Sequence, residues 1–226
     1  QHQQARFAAG GQHICGLEVV ELDAHHQADA GNALDMGQLG DAGTQLHGAV
    51  ITGAEELKGW TVYKGTVWSV SVDNSVFGNY NPYTTYVYGD WYFAGRTKHT
   101  GVVYLNDKML YEAASVEEVV KAEVYKYSWD PQASRLKWFA EQKDGRTVFY
   151  ANFMGADPNR EKVEINVREQ CFVPKETGIG YITVSGFTIT KAATKWAPPA
   201  AYQSCMIGPH WSKGWIIEDC DISNSK

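Results

Sequence analysis

Three groups of residues have the types and spacing to do chemistry. Glu218, Asp219 and Asp221 form the only dense acid group on a repeated segment late in the chain. Two carboxyl groups can act as acid and base when burial or a neighbouring charge raises one pKa. By the alternation of that segment, Glu218 and Asp219 fall on a corner and Asp221 on an outward position, which reads as a solvated face. His210-Trp211-Ser212-Lys213-Gly214 stands just before a short apolar run. A histidine there could donate to a hydroxyl or a carboxylate, while Trp211 and Trp215 could equally clamp the segment to its neighbours. His25 and His26 invite a metal reading, but adjacent residues on a regular element point different ways and no third ligand has suitable spacing. They read as exposed polar histidines, and no metal or cofactor is expected.

The elements that must hold these groups come from a chain of 226 residues with 20 Lys plus Arg against 26 Asp plus Glu, a net charge of -6. That balance gives no electrostatic case for a nucleic-acid partner. No run of about 18 apolar residues exists, so no helix is expected to span a membrane. Cys15, Cys171, Cys205 and Cys220 lie far apart, without the spacing of a zinc framework or a small disulfide scaffold. Gln1 opens the chain and no signal-peptide pattern follows, which favours the cytoplasm and suggests a processed product or fragment.

Three stretches differ in character. Residues 1–47 hold five of the seven histidines and a single aromatic, Phe7, and show no steady period of 2 or 3.6. From about residue 60 the pattern becomes β. Residues 65–72 alternate apolar and polar side chains, residues 102–112 read as a hairpin about Asn106-Asp107, and residues 136–151 fold about Asp144-Gly145. One helix interrupts them at residues 114–122, with Ser115 as N-cap and Glu118 as its capping-box partner. These signals predict an antiparallel β-sandwich over residues 61–157.

The third stretch repeats itself. Val184 falls on Ile217, Phe187 on Cys220, Thr188 on Asp221 and Ile189 on Ile222, always 33 residues on. Each copy is a short strand, a two-residue corner and another short strand. Such coils bury an apolar face only by stacking, which predicts a parallel β-helix over residues 158–226 with its start at 48–60. Residues 191–209, with Pro198-Pro199, then form a projecting loop. A solenoid that stops at Lys226 leaves unpaired strand edges, so further coils, or a second copy of the chain, are expected to cover them.

Four segments carry a family resemblance: ITGAEELKGW at 51–60, GDWYFAGRTKHTGVVYLNDKMLYEA at 89–113, KETGIGYITVSGFTITKAATKWAPP at 175–199 and IGPHWSKGWIIEDCDIS at 207–223. Together they resemble the β-xylosidases of glycoside hydrolase family 120. The resemblance implies a mostly-β chain, a right-handed parallel β-helix with an inserted antiparallel β-sandwich. It implies a retaining, two-carboxylate hydrolysis of xylo-oligosaccharides, with the catalytic pair on coils beyond this chain, so no residue here receives a catalytic role. It also implies an aromatic platform at Trp91, whose indole face would stack on the C–H face of a pyranose. Trp91, His210 and Trp211 are thus the expected substrate contacts, with sandwich core as the other reading of Trp91.

Two other readings compete. A polysaccharide lyase on the same fold would need basic residues and a calcium cluster, and the coil region shows neither an Arg/Lys ladder nor such a cluster. A carbohydrate-binding module without turnover would use exposed aromatics, and Tyr80, Tyr83, Tyr86, Tyr88, Trp91 and Tyr92 are candidates.

Overall fold

The structure is a computed structural model that describes residues 49–88, 97–195 and 204–225, together with the backbone of residues 5–8. Strands β1 to β5 are Ala5–Ala8, Val50–Thr52, Ala54–Glu56, Thr61–Lys64 and Val67–Asp73. Strands β6 to β10 are Val103–Leu105, Lys108–Met109, Tyr111–Glu112, Lys137–Lys143 and Arg146–Asn152. Strands β11 to β15 are Val163–Asn166, Ile182–Ser185, Thr188–Thr190, Ile216–Glu218 and Asp221–Ser223, and the helix α1 is Val116–Lys121. The fold is mostly β, with several sheets. No described helix is long and apolar enough to cross a membrane.

The chain divides into two compact units. The larger comprises Thr52–Cys171, Thr190–Met206 and Ile222–Lys226. It contains a five-stranded sheet in the order β4-β5-β10-β9-β8 and a four-stranded sheet in the order β3-β11-β6-β7. Two tight turns set the registers. Asp144 and Gly145 both take positive φ (51° and 74°), which closes β9 on β10 with Arg146 opposite Lys143. Asn106 and Asp107 do the same (50° and 65°) between β6 and β7. The second arm of that hairpin is shorter than the sequence suggests. Lys108–Met109 pairs back on β6 and the buried Leu110 adds one N–H bond to the Val103 carbonyl at 2.9 Å, after which Tyr111–Glu112 joins the other sheet, parallel to β9. β11, where the coils were expected to resume, pairs antiparallel with both β3 and β6.

Side chains from both sheets meet in one core with Trp60, Phe77, Tyr83, Trp138, Phe149 and Phe153. Tyr83 sits edge-on to Phe77, Trp138 and Phe149, with ring centroids 5.7, 5.4 and 4.6 Å away. Its hydroxyl donates to the Val102 carbonyl at 2.8 Å, and burial pushes its pKa well above 10. Gly101 is needed beside it, since a Cβ there would lie 2.5 Å from the Tyr83 ring. Helix α1 starts where the sequence places its cap. Ser115 accepts the Glu118 N–H at 3.4 Å, and the Glu118 carboxylate accepts from Ala114, one residue before the cap.

The smaller unit comprises Gln1–Ile51, Phe172–Ile189 and Ile207–Asp221. Its sheet is parallel, in the order β1-β12-β14. Thr183 pairs with Ile216, Val184 with Ile217 and Ser185 with Glu218, the register that the sequence repeat predicts. The backbone repeats further than the side chains do. Positive φ occurs at Gly178 and Trp211 (85° and 48°), Tyr181 and Gly214 (61° and 73°), and Gly186 and Asp219 (77° and 50°); within the larger unit the same spacing recurs at Lys191 and Asn224 (60° and 56°). Each pair is separated by the same 33 residues as Thr190 and Ser223, whose hydroxyls are hydrogen-bonded. β1 places a strand within the N-terminal stretch, where the sequence carries only a weak folding signal.

Candidate functional site

The segment 210–214 is pinned through its backbone to the preceding repeat. Gly178 N–H donates to the His210 carbonyl at 3.2 Å, and Tyr181 N–H donates to the Lys213 carbonyl at 2.9 Å. Gly180 permits this approach, because a Cβ there would lie 2.4 Å from the Lys213 oxygen. Trp215 supplies the clamp that the sequence allowed for. Its indole N–H donates to the Ile179 carbonyl at 2.8 Å and its ring meets Phe172 edge-on at 6.1 Å. Trp211 takes no part in such burial: it is 78% exposed. It also holds a left-handed backbone where its repeat mate is a glycine, a conformation that costs an L-residue about 1–2 kcal/mol. Next to it, Ser212 Oγ is buried without a hydrogen-bond partner. His210 is half-buried. Strain, an exposed indole and an unsatisfied hydroxyl thus coincide within the motif.

The acids of the repeat stand apart from this. Glu218, Asp219 and Asp221 are not buried, as a solvated face requires. Among the described residues no three His, Cys, Asp or Glu side chains are grouped to hold a metal. Trp91, Tyr92, His25, His26, Cys15 and Pro198-Pro199 lie outside the described residues. Cys171 is a buried free thiol whose pKa burial raises to about 12, and Cys220 forms no disulfide either.

The aromatic group on residues 80–92 divides. Tyr83 is core. The Tyr80 hydroxyl donates to the Ala193 carbonyl at 2.6 Å and lies 2.7 Å from Thr100 Oγ1, so it too is structural. Tyr86 and Tyr88 are exposed. Tyr86 pairs with His99 in an isolated antiparallel bridge, with the two rings 4.9 Å apart. Glu112 fixes His99: its carboxylate lies 2.8 Å from Nδ1 and also accepts the His99 backbone N–H at 3.2 Å. No sequence signal joins His99 to Glu112: the hairpin reading put Glu112 at the end of its second arm and left His99 outside it.

A second cluster was equally hidden. Residues 191–194 do not project as the loop reading expects; they are buried. Lys191 Nζ pairs with both Glu164 and Asp107, and Lys162 Nζ lies 3.3 and 3.4 Å from the same two carboxylates. The Lys191 ammonium stands 5.4 Å from the Tyr104 ring centroid, and its carbonyl accepts from Asn166 Nδ2 at 2.5 Å. The hydrogen bond from Lys191 holds the Asp107 carboxyl below its ordinary value of 3.8. Burial would lower the pKa of Lys162, but the charges of Glu164 and Asp107 outweigh it and raise it. Two cations closed on two anions make a structural cross-link, since every charge already has its partner.

A mostly-β chain with a registered 33-residue repeat and a two-sheet unit defines a class that likeness to known proteins narrows. The glycoside hydrolase 120 insertion domain matches residues 57–165. A solved structure, that of XylC in complex with xylose, is 46% identical, with a TM-score of 0.73 over 79% of this chain. The present chain spans 30% of that chain's length. No curated protein matches it. The insertion-domain match covers just under half of the chain, and together with the solved structure it supports assignment to glycoside hydrolase family 120.

Proposed function

We propose that this chain forms part of a β-xylosidase-type glycoside hydrolase, in which it helps to hold a xylo-oligosaccharide for retaining hydrolysis. The observation that carries this reading is the 46% identity to a protein solved with xylose bound. The fold proposed with it is a right-handed parallel β-helix with an inserted β-sandwich. The registered pairing of β12 with β14 supports the helix, and the common core of two sheets supports the sandwich.

Retaining hydrolysis needs two carboxyl groups about 5–5.5 Å apart, one attacking the anomeric carbon and one protonating the leaving oxygen. No residue of the 226 is assigned either role. The part given to this chain is positioning. Trp211 offers an exposed indole face for the C–H face of a pyranose, and its strained backbone is retained because that placement is useful. His210 serves as a donor to a sugar hydroxyl, and Trp91 as a second aromatic platform.

Titrating the 226-residue chain with xylotriose, by calorimetry, tests the assignment. The unaltered chain should bind, and Trp211→Ala should weaken binding about tenfold, the worth of one stacked ring, with its unfolding midpoint kept. Equal affinities would remove Trp211 from the site. Hydrolysis of an aryl β-xyloside by the protein of full natural length separates turnover from the competing reading, binding alone, which the exposed Tyr86 and Tyr88 favour.

A further inference from the structure

The connection from α1 to β9, residues 123–135, carries three exposed aromatic side chains at alternate positions: Tyr125, Tyr127 and Trp129. Trp129 is fully exposed, and it and Tyr127 are the two most exposed aromatic residues among those described. Exposed rings on a loose loop would need no account, but this loop is fastened. Tyr125 N–H donates to Ser134 Oγ at 2.7 Å, and Ser134 is fully buried and bonded in turn to the Pro131 carbonyl. Ser128 N–H closes a turn on the Tyr125 carbonyl at 3.1 Å. Ser128 Oγ is hydrogen-bonded to the Tyr111 hydroxyl and to the Asp130 backbone, and Asp130 Oδ1 accepts the Ala133 N–H at 3.0 Å. The rings of Tyr125 and Tyr127 meet edge-on at 5.8 Å. Most of the ordering entropy of the loop is therefore lost before any ligand arrives.

We infer that Tyr125, Tyr127 and Trp129 form a surface that grips a neutral glycan, in addition to the site proposed at residues 210–214. The chemistry selects that ligand in three ways. Large flat rings match the C–H faces of pyranoses. Glu123 and Asp130 balance Lys126 and Arg135, so the loop offers no net charge for an anionic ligand. The area is also small. Three rings can bury at most roughly 150–250 Å² each, less than the roughly 800 Å² per partner of a stable protein interface.

Electrophoresis of the 226-residue chain through gels containing soluble xylan tests the surface. The unaltered chain should be retarded, Trp129→Ala should weaken the apparent affinity about tenfold, and Trp129→Phe should keep part of it. Trp211→Ala should leave clear retardation. If xylan does not slow the unaltered chain, or slows Trp129→Ala equally, the surface does not exist. It is equally ruled out if Trp129→Ala changes only the sedimentation of the chain, since a second copy would then be the occupant. Retardation lost with Trp211→Ala alone would overturn this surface while leaving the proposed function intact.

Discussion

Residues 178–191 and 211–224 follow the same backbone path twice, and they differ in nearly everything else. Left-handed residues recur at four matched positions, yet glycine occupies Gly178, Gly214 and Gly186 on one side and Trp211, Tyr181 and Asp219 stand opposite. At the second pair the reason is steric: a Cβ on Gly214 would lie 2.6 Å from the Tyr181 ring. At Gly178 and Gly186, by contrast, a Cβ would meet open space. Burial differs as well. Val184 and Ile189 are 0% exposed, while their mates Ile217 and Ile222 are 38% and 49% exposed. Strand register and corner handedness thus survive a large change in burial, so the corners and the ladder bonds, more than apolar contact, set the path.

The largest test of this contrast falls at the last matched pair. Lys191 and Asn224 share the left-handed conformation, but Lys191 is buried on two carboxylates, while the Asn224 carbonyl merely accepts from the Tyr104 hydroxyl at 3.2 Å. Lys191→Asn copies one mate onto the other. Asparagine tolerates that backbone, so what is lost is the ammonium, which leaves the buried Glu164 short of a partner. Denaturant unfolding should show a loss of about 3–5 kcal/mol. A loss under about 1 kcal/mol would mean that Lys162 replaces it and that the cross-link is redundant.

The next contrast compares equal residues in unequal surroundings. Ile189→Ala should cost about 2–5 kcal/mol, the range for a fully buried isoleucine, and Ile222→Ala under about 1 kcal/mol. Matching losses would show that something covers Ile222 in solution. A smaller effect concerns pH. Asp107 has its pKa depressed, chiefly by the hydrogen bond from Lys191, so its contribution is present above the unfolded value near 3.8 and disappears as pH falls through the lower folded value. The thermal midpoint of Asp107→Asn should therefore decline less steeply below about pH 4 than that of the unaltered chain. Identical acid slopes would assign the decline to other carboxylates.

Much of the frame was readable because its causes are local. Asp144-Gly145 and Asn106-Asp107 announce their turns, Ser115 announces its helix, and the pairing of Val184 with Ile217 follows from repeating text. What stayed hidden depends on distant partners. Lys191 reads as loop because nothing beside it reveals Glu164, 27 residues earlier, or Asp107, 84 residues earlier. Tyr111–Glu112 reads as the arm of a hairpin because no residue marks a change of sheet. Of the candidate site, the motif at 210–214 was legible from its composition, but the strain at Trp211 was not, since it appears only when its glycine mate at 178 is set beside it.

That pairing of glycine with a side chain leads to the smallest and most discriminating prediction. Asp219 is an exposed residue at φ 50°, and its mate Gly186 holds 77°. Asp219→Gly removes a left-handed strain of about 1–2 kcal/mol and adds the greater unfolded freedom of glycine, about 0.5–1 kcal/mol, so stability should rise by up to about 1.5 kcal/mol. Gly186→Asp reverses both terms and should lower it by a similar amount, with open space around the position to admit the new side chain. Carrying both changes exchanges the residues between copies and should return the midpoint close to its starting value. A double variant far less stable than either single one would show that the corners are coupled through more than backbone handedness, and that the two copies are not interchangeable even where their φ angles agree.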